Sequence, residues 1–192
     1  SHQEYLHLNF SVLYRTNLPV YSRGCEISAA EINDRAQYYV DGEFMGIQER
    51  TEFRNDKIIT PSDRESHTLD ILVENMGRIN FGFRLGDQKG ITKGVYLNQW
   101  RNIFGFEIYP IPLKDVSGIR FEKGFMSSNK PMFYKGTFTV EDTADTFLDM
   151  SGFTKGVVFV NGFNLGRYWN VGPTLDLYLP APILKKGENE IV

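Results

Sequence analysis

Short segments in which hydrophobic and polar positions alternate recur along this chain, and they predict a series of β-strands. The clearest are "YLHLNFSVLYRT" (5–16), "TLDILVEN" (68–75) and "VVFVNG" (157–162). Each is rich in β-branched or aromatic residues and is bounded by turn residues. "RINFGFRL" (78–85) has the same character and is predicted as a further strand. No segment predicts an α-helix longer than two turns, so the pattern indicates an all-β chain.

Two hairpins are predicted from dipeptides that favour tight turns. Asp41-Gly42 lies within "YYVDGEFMG" (38–46), and Asn161-Gly162 lies within "VFVNGFNLG" (158–166). Both central positions of such a turn favour a positive φ, which Asp, Asn and Gly tolerate. The two segments match on both sides of the turn, and "TLDILV" further matches "TLDLYL" (174–179). The pattern favours a duplicated β domain, although unrelated β domains also share such hairpins.

The duplication and the proline positions predict two tandem β-sandwich domains, 1–113 and 114–192. Pro110 and Pro112 near the junction cannot donate to a β-ladder, so they indicate an edge strand or a linker. The second domain is short for a sandwich. We therefore expect it to be incomplete, or to take a strand from upstream or from sequence outside these 192 residues.

Composition and charge exclude several function classes. The chain carries a net charge of −3 with acidic and basic residues interspersed, whereas a nucleic-acid partner requires a concentrated basic face. No apolar run approaches the roughly 20 residues of a membrane helix, so no membrane partner is expected. Cys25 is the single cysteine, which excludes an internal disulfide. Both termini lie in strand patterns, so we expect the chain to be part of a longer polypeptide.

No metal or cofactor site is predicted. Transition-metal sites require three or four ligands at suitable spacing. The three histidines, His2, His7 and His67, are scattered, and Cys25 stands alone.

No catalytic residue is predicted in this chain either. Ser66, His67 and Asp70 could suggest a catalytic triad, but no G-x-S-x-G turn surrounds the serine. We expect this segment to be a solvated polar loop. The acidic segments "VENMG" (73–77) and "GENEI" (187–191) could suggest a pair of glycosidase carboxylates. Each lies at a strand end beside a turn glycine, where side-chain oxygens commonly bond the local backbone.

Aromatic clusters are the stronger candidates for binding. Trp100 precedes "RNIFGFEIY" (101–109), and Arg167, Tyr168 and Trp169 follow one another in "NLGRYW". Sugars stack their C–H faces on aromatic rings, so Arg167, Tyr168 and Trp169 could contact a carbohydrate. The alternative is that Trp169 packs between sheets and Arg167 ties loops together, since large aromatics dominate cores and interfaces. The residues themselves favour packing.

The longest motif strongly resembles a known enzyme family. "KGVVFVNGFNLGRYW", followed by "GP" and "LYLPAPILKKGENEI", resembles the C-terminal region of family 35 glycoside hydrolases, the β-galactosidases. "LYRT" (13–16), "DRAQYYVDG" (34–42) and "LDILVENMGRINFG" (69–82) resemble the preceding β domain of that family. The resemblance covers nearly the whole chain.

The resemblance implies a fold, and it implies that the catalytic residues lie outside this chain. The matching domains of the family are jelly-roll sandwiches of the galactose-binding type, packed on an N-terminal (β/α)₈ barrel. Both catalytic glutamates of the retaining mechanism lie on that barrel, so no catalytic position can be assigned here. We therefore expect a non-catalytic portion of a β-galactosidase, whose partner is the catalytic barrel of the same polypeptide and whose substrate is a terminal β-galactoside. The alternatives are a carbohydrate-binding module or a stand-alone lectin-like protein.

Overall fold

Antiparallel β-strands make up nearly all of the regular structure in a computed structural model, which describes residues 11–50, 56–62, 67–124, 126, 128 and 130–192. Within these residues no α-helix is present; short 3₁₀ turns occur at Val20–Ser22 and Ala181–Ile183. No described helix is therefore long and apolar enough to cross a membrane. The chain divides into two compact units, Ser1–Leu113 (unit 1) and Lys114–Val192 (unit 2), and the all-β expectation is confirmed.

Unit 1 contains eleven strands in the described residues. They are β1 (Ser11–Leu18), β2 (Glu26–Ala29), β3 (Ile32–Asn33), β4 (Arg35–Val40), β5 (Glu43–Glu49), β6 (Ile58–Ile59), β7 (His67–Glu74), β8 (Gly90–Ile91), β9 (Val95–Leu97), β10 (Arg101–Ile103) and β11 (Glu107–Ile111).

The core of unit 1 lies between two antiparallel sheets, with strand orders β11-β1-β7-β4-β5 and β10-β9-β2-β6. Strand β7 is central in the first sheet, and its alternate residues Leu69, Ile71 and Val73 are buried. Successive side chains of a strand point to opposite faces, which explains the alternation in this segment. Pro110 lies on β11, an edge strand, as its missing N–H predicts.

Unit 2 contains six strands in the described residues. Its larger sheet has the order β12-β17-β14-β15, its smaller sheet pairs β13 with β16, and its core includes Val158, Val160 and Leu179. The strands are β12 (Gly136–Val140), β13 (Thr146–Asp149), β14 (Lys155–Val160), β15 (Phe163–Trp169), β16 (Asp176–Leu179) and β17 (Gly187–Ile191).

The two predicted hairpins, β4–β5 and β14–β15, share their turn and their bulge. The turn residues Asp41 and Gly42 have φ values of 49° and 76°, and Asn161 and Gly162 have 50° and 81°. The register shifts between Tyr38 and Tyr39 in the first hairpin and between Val158 and Phe159 in the second. The hairpin repeat predicted from the sequence is therefore confirmed, including one extra residue on the second strand.

The predicted correspondence between "TLDILV" and "TLDLYL" is contradicted by the strand pairing. Strand β7, which carries "TLDILV", pairs with β4 through Val40 and Leu69. The corresponding contact in unit 2 joins Val160 to Ile191 of β17. "TLDLYL" instead contributes β16, which pairs with β13 as β6 pairs with β2. The match of "TLDLYL" to "TLDILV" was therefore wrong as a structural correspondence, because a local apolar pattern does not specify the partner strand.

"RINFGFRL" is not a strand, which contradicts the sequence prediction. Residues 77–86 form turns and irregular backbone. Gly77 and Gly82 have φ values of 102° and 96°, in a region that an extended strand does not use. The side chains of Phe81 and Phe83 are 88% and 95% exposed. An aromatic composition alone therefore predicted a strand where the glycines bend the chain.

Candidate functional site

The three residues singled out by sequence lie on β15 but do not share one face. Cross-strand pairing places Arg167 opposite Val157, Tyr168 opposite Gly156 and Trp169 opposite Lys155. Because side chains alternate along a strand, Arg167 and Trp169 share one face and Tyr168 points to the other. The contiguous sequence cluster is therefore divided between two environments.

Tyr168 is part of the core of unit 2. Its ring lies over Gly156, where a Cβ atom would come within 2.6 Å of the phenolic oxygen and 2.9 Å of Cζ. Phe153 makes an edge contact with the same ring at a centroid distance of 6.1 Å. Burial raises the pKa of the Tyr168 phenol. These contacts support a packing role for this residue.

Trp169 is half-buried, and the Lys155 ammonium lies 3.7 Å from the centroid of its ring. This cross-strand cation–π contact stabilises the two side chains together and occupies one face of the indole. A sugar that stacked on that face would have to displace the ammonium.

A small depression lies beside the end of β15. Its volume is about 180 Å³, below the roughly 300 Å³ at which small-molecule pockets begin. Ser151 and Asn170 supply polar side chains, and the remaining lining is largely apolar. The lining residues are Met150, Ser151, Tyr168, Trp169, Asn170 and Leu175.

A second aromatic group, which sequence reasoning noted only as a cluster, is a stack on the surface of unit 1. The Arg101 guanidinium lies 4.3 Å from the ring centroid of Tyr21 and 4.8 Å from that of Trp100. Trp100 is 69% exposed and Tyr21 is 56% exposed. Residues 21 and 101 are far apart in sequence, so their contact was not predictable from the local pattern.

A group of charged residues around the buried pair Asp34–Lys89 in unit 1 was not predicted from the sequence. The Lys89 ammonium donates to both carboxylate oxygens of Asp34 at 2.9 Å. The Arg50 guanidinium also contacts Asp34 at 2.9 Å and pairs with Asp87. Two carboxylates therefore balance two cations. No sequence signal joins Asp34 to Lys89, because the two residues are 55 positions apart.

The groups dismissed as catalytic on sequence have structural roles. His67 and Asp70 both lie on β7, so the expectation of a solvated loop is wrong for these two residues. His67 is buried, with Nδ1 2.8 Å from the Asp41 carboxylate. Asp70 pairs with Arg15, and Ser66 lies outside the described residues. Asn75 accepts a bond from the backbone N–H of Gly77, as predicted. The described residues contain no cluster of His, Cys and carboxylates suited to a metal; His2 and His7 lie outside them.

Two family models match this chain, each over a different part of it. The family model described as "Beta-galactosidase, first all-beta domain" matches residues 5–112. The model described as "Beta-galactosidase, galactose-binding domain" matches residues 131–189, which include Arg167, Tyr168 and Trp169. Both models are of domains within β-galactosidases.

Individual relatives agree with the family models. Beta-galactosidase 1 of Dictyostelium discoideum is 37% identical over 94% of this chain and 30% of its own length. Beta-galactosidase-1-like protein 2 of Homo sapiens is 38% identical, with corresponding shares of 94% and 28%. The beta-galactosidase of Xanthomonas manihotis is 36% identical, with shares of 88% and 28%. The chain thus spans about 30% of the length of the curated relatives it matches.

Among solved structures, the GH2 beta-galacturonidase of Eisenbergiella tayi aligns with 96% of this chain and 29% of its own. The TM-score is 0.34 and the identity 13%, a similarity too low for any conclusion about this chain.

Proposed function

This chain belongs to the β-galactosidase family, and from that premise we propose that it is the non-catalytic C-terminal portion of a longer enzyme that hydrolyses terminal β-galactosides. The observation that carries the proposal is the match of nearly the whole chain to only about 30% of each relative. The retaining chemistry and the galactoside substrate belong, in this proposal, to the (β/α)₈ barrel of the same polypeptide.

The secondary structure supports placing the chemistry outside this chain. A (β/α)₈ barrel alternates eight strands with eight helices, whereas the described residues contain no α-helix. The buried carboxylate of Asp34 and the half-buried carboxylate of Asp87 are also paired with Lys89 and Arg50. A carboxylate held in this way is poorly placed to act as a nucleophile or as a proton donor.

We assign these 192 residues the role of bracing the barrel. The exposed apolar residues of the segment 76–85 support this role, since Phe81, Phe83 and Leu85 expose most of their surface. Contiguous exposed apolar surface commonly marks a site of contact with another protein surface.

The proposal that catalysis takes place outside this chain can be tested with a chromogenic β-galactoside. The purified 192-residue chain should give no turnover. The longer polypeptide that contains it should hydrolyse the substrate with retention of anomeric configuration, which NMR of the released sugar can detect. Enzyme-dependent hydrolysis by the pure chain would overturn the proposal.

The bracing role requires a separate experiment on the longer polypeptide. Replacing Phe81 and Phe83 together by Ser should lower its Tm and its kcat, while the stability of the isolated 192-residue chain should stay unchanged. Val171→Ser is the matched control, because Val171 is also an exposed apolar residue. Full activity and an unchanged Tm in the Phe81/Phe83 variant would show that this segment does not brace the barrel.

A carbohydrate-binding module is the second candidate, favoured by the position of Trp169 in the lining of the depression. In this candidate Trp169, with Arg167 on the same face, contacts a single sugar, while Tyr168 supports them from the core. The Lys155 ammonium on the indole and the small volume weigh against it. Calorimetric titration with galactose and lactose distinguishes the two candidates. Binding heat that is lost in Trp169→Ala would support a carbohydrate-binding module. The absence of binding heat up to millimolar sugar would leave only the structural role.

A further inference from the structure

The smaller sheet of unit 2 has an open edge. Strand β13 pairs with β16 through four residue pairs, from Thr146–Leu179 to Asp149–Asp176. Among the described residues, no backbone group other than those of β16 bonds to β13. An unpaired edge presents a row of N–H and C=O groups that can accept another strand.

The internal repeat indicates what should lie on this edge. In unit 1 the strand corresponding to β13 is β2, because β2 and β6 pair as β13 and β16 do. The buried pair Ile27–Ile58 corresponds to Leu148–Leu177; Leu177 belongs to the core of unit 2, and Leu148 is partly buried and packs against it. However, β2 also pairs with β9 on its other side. Unit 2 has no counterpart of β9 among its described strands.

The contacts of β9 define the chemistry that an added strand needs. In unit 1, Val95 and Leu97 are buried opposite Ala29 and Ile27, and Tyr96 between them faces outward opposite Ser28. The corresponding residues of unit 2 are Leu148, Asp149 and Met150. An added strand must therefore place apolar side chains opposite Leu148 and Met150, with the residue between them opposite Asp149.

The outer face of β13 selects for a positive charge at that middle position. Asp149 lies directly opposite Asp176 on β16, so two carboxylates are adjacent on this face. The backbone N–H of Ser151 donates to the Asp149 carboxylate at 2.8 Å, which stabilises the charged form and lowers the pKa of this carboxyl. Opposite charges across a ladder are stabilising and like charges are destabilising. A Lys or Arg opposite Asp149 would therefore stabilise the pairing.

A cavity at the same end of the strand offers room for an added side chain. The depression of about 180 Å³ is lined by Met150 and Ser151, which directly follow β13. One large side chain of an added strand could occupy it.

From these observations we propose that the open edge of β13 binds an extended segment with the pattern apolar–basic–apolar, and that this segment comes from another part of the same full-length polypeptide. It would pair with β13 in the smaller sheet of unit 2 as β9 pairs with β2 in unit 1. The source of the segment rests on the proposed function, in which this chain belongs to a longer enzyme. Strand addition of this kind gains affinity from main-chain hydrogen bonds and specificity from alternate side chains.

Amide hydrogen exchange, followed by mass spectrometry or NMR, tests the proposal. Within residues 146–150, the amides that point away from β16 should exchange at least tenfold more slowly in the full-length polypeptide than in the 192-residue chain. The amides of β2 serve as the internal control, because β9 already covers them in both forms. Equal exchange of residues 146–150 in the two forms would overturn the proposal.

Charge substitution tests the basic position independently. Asp149→Asn keeps the acceptor for the Ser151 N–H but removes the charge, and it should accelerate exchange of these amides severalfold in the full-length polypeptide only. Glu141→Gln, an exposed acid outside the strand, should have no effect. Galactosidase activity is measured on the same samples. Activity without protection of β13 contradicts the edge proposal alone, and protection without activity contradicts the proposed function alone.

Discussion

The side-chain amide of Asn161 donates to the side-chain oxygen of Asn189 at 2.8 Å, and this contact ties the second hairpin turn to the last strand. The same positions in unit 1 hold Asp41 and His67, which are also 2.8 Å apart. In both units the turn residue accepts a further bond from a backbone N–H of the adjacent strand, that of Thr68 or of Glu190. The repeat therefore preserves the geometry of the contact while its chemistry changes from an ionisable pair to a neutral amide pair.

The Asn161–Asn189 contact should be measurable by a double-mutant cycle. Asn189 is buried and also bonds the backbone of Lys185 and Gly187, so Asn189→Ala should cost about 3 kcal/mol of unfolding free energy. Asn161→Gly removes the amide and tolerates the positive φ. The coupling between the two substitutions in urea denaturation should be about 1 kcal/mol, and strictly additive losses would contradict the contact.

Local turn chemistry explains why the hairpins were predictable from sequence. Asp41-Gly42 and Asn161-Gly162 specify a turn with positive φ without any distant partner. "RINFGFRL" was mispredicted because residue composition does not reveal where glycine bends the chain. Strand partners also depend on distant residues, so "TLDLYL" was assigned to the wrong strand position.

The sequence predicted which segment carries the candidate site, but not which of its side chains share a face of the strand. The motif around Trp169 identified the right strand, but the division of Tyr168 from Arg167 and Trp169 follows from alternation along β15, which the sequence cluster conceals. The Asp34–Lys89 pair had no sequence signal, since its residues meet only through the packing of loops distant in the chain.

Gly156→Ala should destabilise unit 2. The added Cβ would lie 2.6 Å from the Tyr168 phenolic oxygen and 2.9 Å from Cζ, and Tyr168 is too closely packed to move freely. We expect a loss of about 1–3 kcal/mol in urea denaturation. Gly152→Ala is the matched control, because nothing lies within 4 Å of its Cβ position. Equal stability of the two variants would show that the ring over Gly156 is not a constraint.

Lys89→Met should destabilise unit 1 by about 3 kcal/mol, because removing one member of a buried ion pair leaves the other incompletely compensated. Asp34 would retain Arg50 and the backbone N–H of Met76. The control is Lys186→Met, which breaks the exposed pair with Asp142 and should leave the urea midpoint unchanged. A loss below 1 kcal/mol for Lys89→Met would contradict the assigned role of the buried pair.

Tyr38 and Tyr39 are adjacent and buried, but among the described residues only the Tyr38 hydroxyl is hydrogen-bonded. The Tyr38 hydroxyl donates to Gln48 at 2.6 Å and accepts from the Ala29 N–H at 3.1 Å. The Tyr39 hydroxyl has no hydrogen-bond partner among the described residues. At pH 7, Tyr39→Phe should therefore keep or raise stability, by up to about 1 kcal/mol, whereas Tyr38→Phe should lower it by about 1–2 kcal/mol.

In alkaline solution, the stability of Tyr39→Phe should depend less on pH than that of the parent chain. Burial raises the pKa of Tyr39 to about 12 and also raises that of Tyr38, above the value of about 10 for an unfolded chain. The unfolded state therefore loses its phenolic protons first, so the stability contribution of each neutral phenol is complete below pH 10 and declines as pH rises towards 12. Urea denaturation at pH 9 and pH 11 should show a smaller decline for Tyr39→Phe than for the parent chain. An identical decline would mean that the Tyr39 phenol titrates alike in the folded and unfolded states, in contradiction to its burial.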